Sequence, residues 1–269
     1  MEHATYFLTD SQYEWLANKL PEPTSRTKHT IPNNKLLSGI VFVLRTGCRW
    51  SDIPSSICVH HYSSCWRRFN FWRKRAGVKG VWQTALKLLD QEGQIDLSLG
   101  NLDGTLVQAP KFKECTGYSG KHHRIGTNVS VLTERDGLPL ADSMAKGNRN
   151  DITAAERTVN KLRIGIKRRL KELNADKGYD SRTFRRNLLK RGTTGNIPER
   201  QRRQKHRRQH GPHAHMDKAN FKFRSFVERT IAWLKSYHRL RYRYERKRCM
   251  FQAMVDMACL LICLRRAVA

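Results

Sequence analysis

The apolar residues of this chain change their period near residue 92, and no single layer of secondary structure accommodates both patterns. Before that point they recur every three to four residues. In "LTDSQYEWLANKLP", Tyr13, Leu16, Ala17 and Leu20 fall on one helical face, with Asp10 as the expected cap. "NNKLLSGIVFVLRTG" reads as a second helix with an asparagine cap and a glycine stop, "HHYSSCWRRFNFWRKRAG" as a third and "VKGVWQTALKLLDQEG" as a fourth. Residues 1–92 thus predict a small all-helical domain. Beyond it, "QIDLSLGNLDGTLVQA" has strand alternation, and "TNVSVLTERDGLPLADSMAKG" reads as a hairpin turning at Asp136-Gly137. "NDITAAERTVNKLRIG" is a helix with Asp151 as its cap, "RLKELNADKGYDS" holds a short strand ending near Asp176, and "SRTFRRNLLKRG" is a helix. "GNIPER" suggests another strand, and two helices close the chain. Strands first, then strands alternating with helices, predict a mixed α/β domain over 93–269.

Charge bears on partners rather than on fold. The chain carries 52 Lys and Arg against 23 Asp and Glu, a formal net charge of +29. The excess is spread along the whole length, which favours a long polyanion lying across a broad surface. From Arg200 to His215 the chain is nearly all Arg, Lys, Gln and His, a basic loop expected to contact DNA. The seven cysteines follow no disulfide pattern, and the opening residues form no signal peptide, so the expected setting is a reducing, cytoplasmic compartment. "MFQAMVDMACLLICL" is too short for a membrane span and contains Gln252 and Asp256, which predicts a packed final helix and no membrane partner. "CVHHYSSC" fits no common zinc spacing.

Within this basic background three acids stand out. Asp103, in "NLDGTLV", points by strand alternation to the face opposite Leu102 and Leu106. Asp176 ends its strand opposite Leu173 and Ala175. Glu228 lies in "FKFRSFVERTIAWLKSYHRL". At about 100° per residue, Phe223, Phe226, Val227, Thr230, Trp233, Leu234 and Tyr237 form one side of that helix, and Phe221, Arg224, Glu228, Ile231 and Lys235 the other. A single carboxylate in such a place is ordinarily a turn residue or half of a surface ion pair. Three together suit hard cations, which take carboxylate, phosphate and water oxygens. Two such ions can clamp both oxygens of a displacement at phosphorus, and a bound cation inverts the local charge. Asp142 and Asp180 are nearby acids without this setting.

These residues resemble the DDE transposases of the insertion sequence 5 and 4 superfamily. The family signature Tyr-x2-Arg-x3-Glu-x6-Lys is matched by Phe221, Arg224, Glu228 and Lys235, with every spacing kept and Phe in place of Tyr. "NLDGTLV" and "NADKGYDS" are similar to its two aspartate segments, "GLPLADSMAKGNRND" to the stretch between them, and "LRTGCRWSDIP…CWRRFNFWRKRAG" to its helical DNA-binding region. The resemblance implies an RNase H-like catalytic domain using Asp103, Asp176 and Glu228 as catalytic and metal-binding residues, with a pair of Mg2+ or Mn2+ ions. It implies hydrolysis of a phosphodiester at the element end, attack of the freed 3′-hydroxyl on target DNA, and no small-molecule substrate. Its DNA partners are the terminal inverted repeats and the target, held by a homodimer or larger assembly. Arg224 and Lys235 are then phosphate contacts near the cut. Arg67, Arg68, Arg73, Lys74 and Arg75 are candidate DNA contacts on the third helix, whose Trp66, Phe69 and Trp72 are expected in the core. Phe221 lacks the hydroxyl of the family tyrosine. The competing readings are a non-catalytic DNA-binding protein derived from a transposase and an RNase H-like nuclease without strand transfer.

Overall fold

The computed structural model describes residues 8–24, 30–110, 113–162, 170–199 and 216–268. The basic segment 200–215, with His210, His213 and His215, lies outside them. The chain divides into two compact units: residues 1–92, 108–114 and 233–269 form one, and residues 93–107 and 115–232 the other. The compact units do not follow the expected sequence boundary at 92/93 throughout, since the last 37 residues pack with the helices.

The helical unit begins with α1 (Asp10–Lys19), α2 (Asn33–Thr46), α3 (Tyr62–Lys74) and α4 (Gly77–Gln91). The cap of α1 is Thr9 rather than Asp10: its hydroxyl accepts from the Gln12 amide, and the Gln12 side chain reaches back to the Thr9 N–H. Asn33 does not cap α2 either. It is buried and donates to the carbonyls of Ala17 and Leu20, at 3.1 and 2.7 Å. On α3, Phe69 and Trp72 are buried as expected, but Trp66 is 43% exposed. Arg68 goes inside instead.

In the sheet unit, β1 (Leu99–Gln108) and β2 (Gly117–Ser119) precede the hairpin of β3 (Arg124–Glu134) and β4 (Pro139–Lys146). Then come α5 (Asp151–Asn160), β5 (Glu172–Ala175), α6 (Arg182–Leu189) and β6 (Thr194–Asn196). The strand order is β2-β3-β1-β5-β6, with β4 also on β3. β1, β5 and β6 are parallel, and the β3 pairings with β2 and β4 are antiparallel. This is the mixed α/β architecture expected of an RNase H-like domain. The cap of α5 is Asn150, which accepts from the Ile152 amide, so Asp151 is one position inside the helix.

After the undescribed segment come α7 (Lys218–Phe221), a 3-10 turn (Lys222–Arg224) and α8 (Ser225–Ser236), which carries Glu228. The chain then returns to the helical unit through α9 (His238–Arg241) and α10 (Arg248–Ala267). α10 packs on α4, burying Phe251, Met254, Leu261 and Leu264 with Val81, Trp82 and Leu89. At roughly 2 kcal/mol per fully buried large apolar side chain, that seam explains why the end of the chain joins the helices. Among the described residues, no helix is long and apolar enough to cross a membrane.

Candidate active site

Strand register brings the two aspartates together. β1 and β5 pair Asn101 with Asn174 and Leu102 with Ala175. Asp103 and Asp176 are each the next residue along their parallel strands. Alternation turns both away from Leu102 and Ala175, which are fully buried. Asp103 remains in β1, while Asp176 caps the 3-10 turn Lys177–Tyr179. Each carboxylate accepts from the next backbone amide: Asp103 Oδ1 from Gly104 N at 2.8 Å, and Asp176 Oδ1 from Lys177 N at 2.7 Å.

Glu228 joins them through a guanidinium. Arg224 Nη1 donates to Glu228 Oε1 at 2.7 Å, and its Nη2 lies 3.6 Å from Asp103 Oδ2. Arg224 Nε is buried without a hydrogen-bond partner. Burial pushes the Asp103 carboxyl above its ordinary range. The charges of Glu228 and Asp176 push it further up, while the Gly104 N–H and Arg224 oppose them. The site therefore places carboxylates where they repel one another and then sets a cation between two of them.

That arrangement fits hard divalent ions in its chemistry, because all three donors are carboxylates and a positive charge already bridges two of them. Among the described residues, however, no three His, Cys, Asp or Glu side chains are disposed to hold an ion as they stand. The guanidinium lies between Asp103 and Glu228. Glu228 is half exposed, and a helix ion pair of that kind is worth roughly 0.3–0.5 kcal/mol, so the Glu228 end of the bridge is the weaker one.

The hairpin turn fixes α8. The Thr230 hydroxyl donates to the carbonyl of Gly137, and Arg229 Nη2 donates to that of Asp136 at 3.1 Å. Gly137 has φ +96°, and a Cβ there would stand 3.0 Å from Thr230 Oγ1. A side chain at this position would be strained and crowded at once. Arg135 stacks over Phe223, 4.3 Å from the ring centre.

Other sequence expectations fare variously. Ile231, placed on the Glu228 stripe, is buried, and Trp233 is half exposed. Ile231 lies on the edge of the stripe next to the buried Val227 and Leu234, and it is covered with them. Lys235 is half-buried and falls in the helical unit. Arg67, Lys74 and Arg75 are exposed, and Arg73 is half-buried with its guanidinium on Asn70 Oδ1. Arg68 is corrected: it is 5% exposed and donates to Asn33 Oδ1 and to the Ile31 carbonyl, so it cannot reach a phosphate. Asp180 is buried against Arg185 at 3.0 Å.

Three residues that sequence reasoning missed adjoin the aspartates. Tyr179 is buried. Desolvation first, then the charges of Asp103, Asp151 and Asp176, hold its phenol well above the usual range, so it stays protonated. Asn128 donates to Asp151 Oδ1, and its own Oδ1 is buried without a partner. A Cβ on Gly104 would stand 3.1 Å from both Tyr179 Oη and Asn128 Oδ1, so only glycine lets them approach so closely. Asn128, Asp151 and Asp176 line a cleft of about 610 Å³ whose edge carries Lys121, Arg149 and Lys177.

Residues 96–263 match the family described as "Transposase DDE domain", more than half of the chain. The chain belongs to that transposase family. Residues 8–86 of the transposase also match "Putative transposase of IS4/5 family". It is 36% identical over 153 residues to the "Putative transposase for insertion sequence element IS402" of Burkholderia cepacia, covering 54% of this chain and 67% of the relative. An "Insertion element IS402 uncharacterized 16.2 kDa protein" of the same organism is 31% identical over 111 residues, covering 38% of this chain and 73% of that protein. Among solved structures, the piggyBac transposase synaptic complex with hairpin DNA aligns with a TM-score of 0.48 at 12% identity, covering 97% of this chain and 74% of that one. At that score it adds nothing to the family assignment.

Proposed function

We propose that this transposase cuts DNA at the ends of its element by hydrolysis at phosphorus and joins the freed 3′-hydroxyl to target DNA, with Asp103, Asp176 and Glu228 as its catalytic carboxylates. The observation that carries this reading is the β1/β5 register, which makes Asp103 and Asp176 neighbours, together with the single guanidinium joining Asp103 to Glu228.

The three carboxylates would hold a pair of Mg2+ or Mn2+ ions. When bound, such ions supply Lewis-acid stabilisation of charge at the scissile phosphate. The chain's own residues do the rest. The backbone amides of Gly104 and Lys177 fix the two aspartates in orientation. Arg224, displaced from the carboxylates, has a guanidinium fork suited to a phosphate oxygen pair. Lys235 adds a point charge farther along the same helix. The exposed Arg67, Lys74 and Arg75 of α3 supply phosphate contacts that position the inverted repeats. Two element ends must be brought together, so the active form is a dimer or larger.

The test is strand cleavage and DNA binding measured side by side on the full chain. Asp103→Asn, Asp176→Asn or Glu228→Gln should each lower the cleavage rate by about a thousand-fold or more, equivalent to several kcal/mol of lost transition-state stabilisation. DNA affinity should stay within about threefold. Loss of binding in step with cleavage would overturn the assignment.

A further inference from the structure

The two strands that deliver the aspartates share a short pattern, Asn-x-Asp: Asn101-Leu-Asp103 in β1 and Asn174-Ala-Asp176 at the end of β5. With a period of two, each asparagine points to the same face as its aspartate, one pleat beneath it. A third asparagine, Asn196 of β6, completes the row. The register pairs Asn101 with Asn174 and Asn174 with Asn196.

All three are buried, and their amides are linked across the sheet. Asn174 Nδ2 donates to Asn101 Oδ1 at 2.9 Å, and Asn196 Nδ2 donates to Asn174 Oδ1 at 2.9 Å. At one end Asn101 Nδ2 donates to the carbonyls of Glu134 and Arg135, at 3.3 and 3.2 Å. The remaining bonds leave the sheet for the chain that leads to the Glu228 helix. Asn196 exchanges two bonds with the backbone of Asp217, at 2.9 and 3.0 Å, and Asn174 Nδ2 donates to the Asn220 carbonyl at 2.7 Å. Asn220 lies one turn before Arg224 and two before Glu228.

A buried amide costs stability unless its donors are met, and here both donors of every member are met. An apolar row would fill the same space without fixing the direction of the overlying chain. An amide row fixes it through bonds that have a preferred direction and length.

We propose that Asn101, Asn174 and Asn196 are positioning residues that set the 217–224 segment, and through it Glu228, against the Asp103–Asp176 pair. The proposal rests on the three-carboxylate reading given above. Asn174 acts at its centre, because it sits between the aspartate strands and bonds directly to the segment.

The test is Mn2+ binding to the full chain, followed by electron paramagnetic resonance of the free ion, in four proteins: the unaltered chain, Asn174→Leu, Glu228→Gln and the double variant. Melting curves establish that each is folded. The expected result is a loss of Mn2+ affinity of roughly 10- to 100-fold for Asn174→Leu, the range found when groups that orient metal ligands are removed. The double variant should be no weaker than Glu228→Gln alone, because both changes disable one ligand. Asn196→Ala should give a smaller loss in the same direction, and it decides the matter if Asn174→Leu does not fold. Unchanged affinity in folded variants, or losses that add to that of Glu228→Gln, would overturn the proposal, as would failure of both row variants to fold. If Glu228→Gln itself leaves Mn2+ affinity unchanged, it is the three-carboxylate reading that falls, and the positioning role falls with it.

Discussion

Both units bury polar side chains, but the largest groups of them differ. The helical unit buries arginines. Arg243 is fully enclosed and donates to the carbonyls of Glu114, Glu245 and Arg246, stacked over Phe251. Arg239 pairs with Glu245 at 2.6 Å and donates to the Cys48 carbonyl at 2.7 Å, just past the end of α2. Arg68 closes the entry to α2. The sheet unit instead sets a neutral asparagine row through its centre and keeps Arg224 at the rim. The physical difference is where unpaired carbonyls occur. Helix ends and irregular chain leave several together, and a guanidinium with five donors can serve them at once. Sheet carbonyls are mostly taken by neighbouring strands, so the asparagines bond to one another along the row and to carbonyls of the hairpin turn and the overlying chain. In such a basic protein, then, a count of arginines is not a count of DNA contacts.

The sharpest way to break that comparison is Arg243→Ala. Three carbonyls would lose a donor, with that of Arg246 keeping another in the Glu114 N–H, and the expected cost is about 3 kcal/mol of unfolding free energy in a urea titration. Arg243→Lys should recover little of it, because an ammonium cannot reach three carbonyls with fork geometry. Next comes Arg68→Ala, expected to cost about 2 kcal/mol by stranding Asn33 Oδ1 and the Ile31 carbonyl. Its neighbour Arg67→Ala should change stability by less than about 0.5 kcal/mol and instead lower the salt dependence of DNA affinity by about one unit of slope. If Arg68→Ala alters the slope while Arg67→Ala does not, the division between inward and outward cations on α3 is wrong. The smallest expected effect is at Asp103. Its carboxyl is held above its ordinary range, so the folded state binds that proton more tightly than the unfolded chain does. The folded protein therefore loses this contribution as pH rises through the raised value. Asp103→Asn should melt slightly higher than the unaltered chain at neutral pH, with the difference shrinking as pH falls through the raised value and gone below 3.8, the ordinary value.

Much of this was legible in sequence because it depends on period. The helices of the first 92 residues, the hairpin at Asp136-Gly137 and the facing of Asp103 and Asp176 all follow from which residues alternate and which recur each turn. What stayed hidden depends on tertiary neighbours. Asn33 and Asp10 have the composition of caps, but the caps are Pro32, without a side-chain bond, and Thr9. Arg68 and Trp66 exchange their expected places because carbonyls near α2 need a donor. Ile231 reads as part of the Glu228 stripe, but it adjoins Val227 and Leu234 on the buried side of the same helix. The asparagine row has no sequence expectation attached to it, although the repeated Asn-x-Asp is a visible sign that those positions share a face with the carboxylates.

The path of the chain between the units has a consequence for how such proteins change over generations. It passes from one to the other after Glu92, Val107, Glu114 and Ala232. Neither unit is an uninterrupted stretch of the gene that a crossover could exchange whole. Exchanging residues 1–92 alone would separate them from residues 108–114 and 233–269, with which they form one unit.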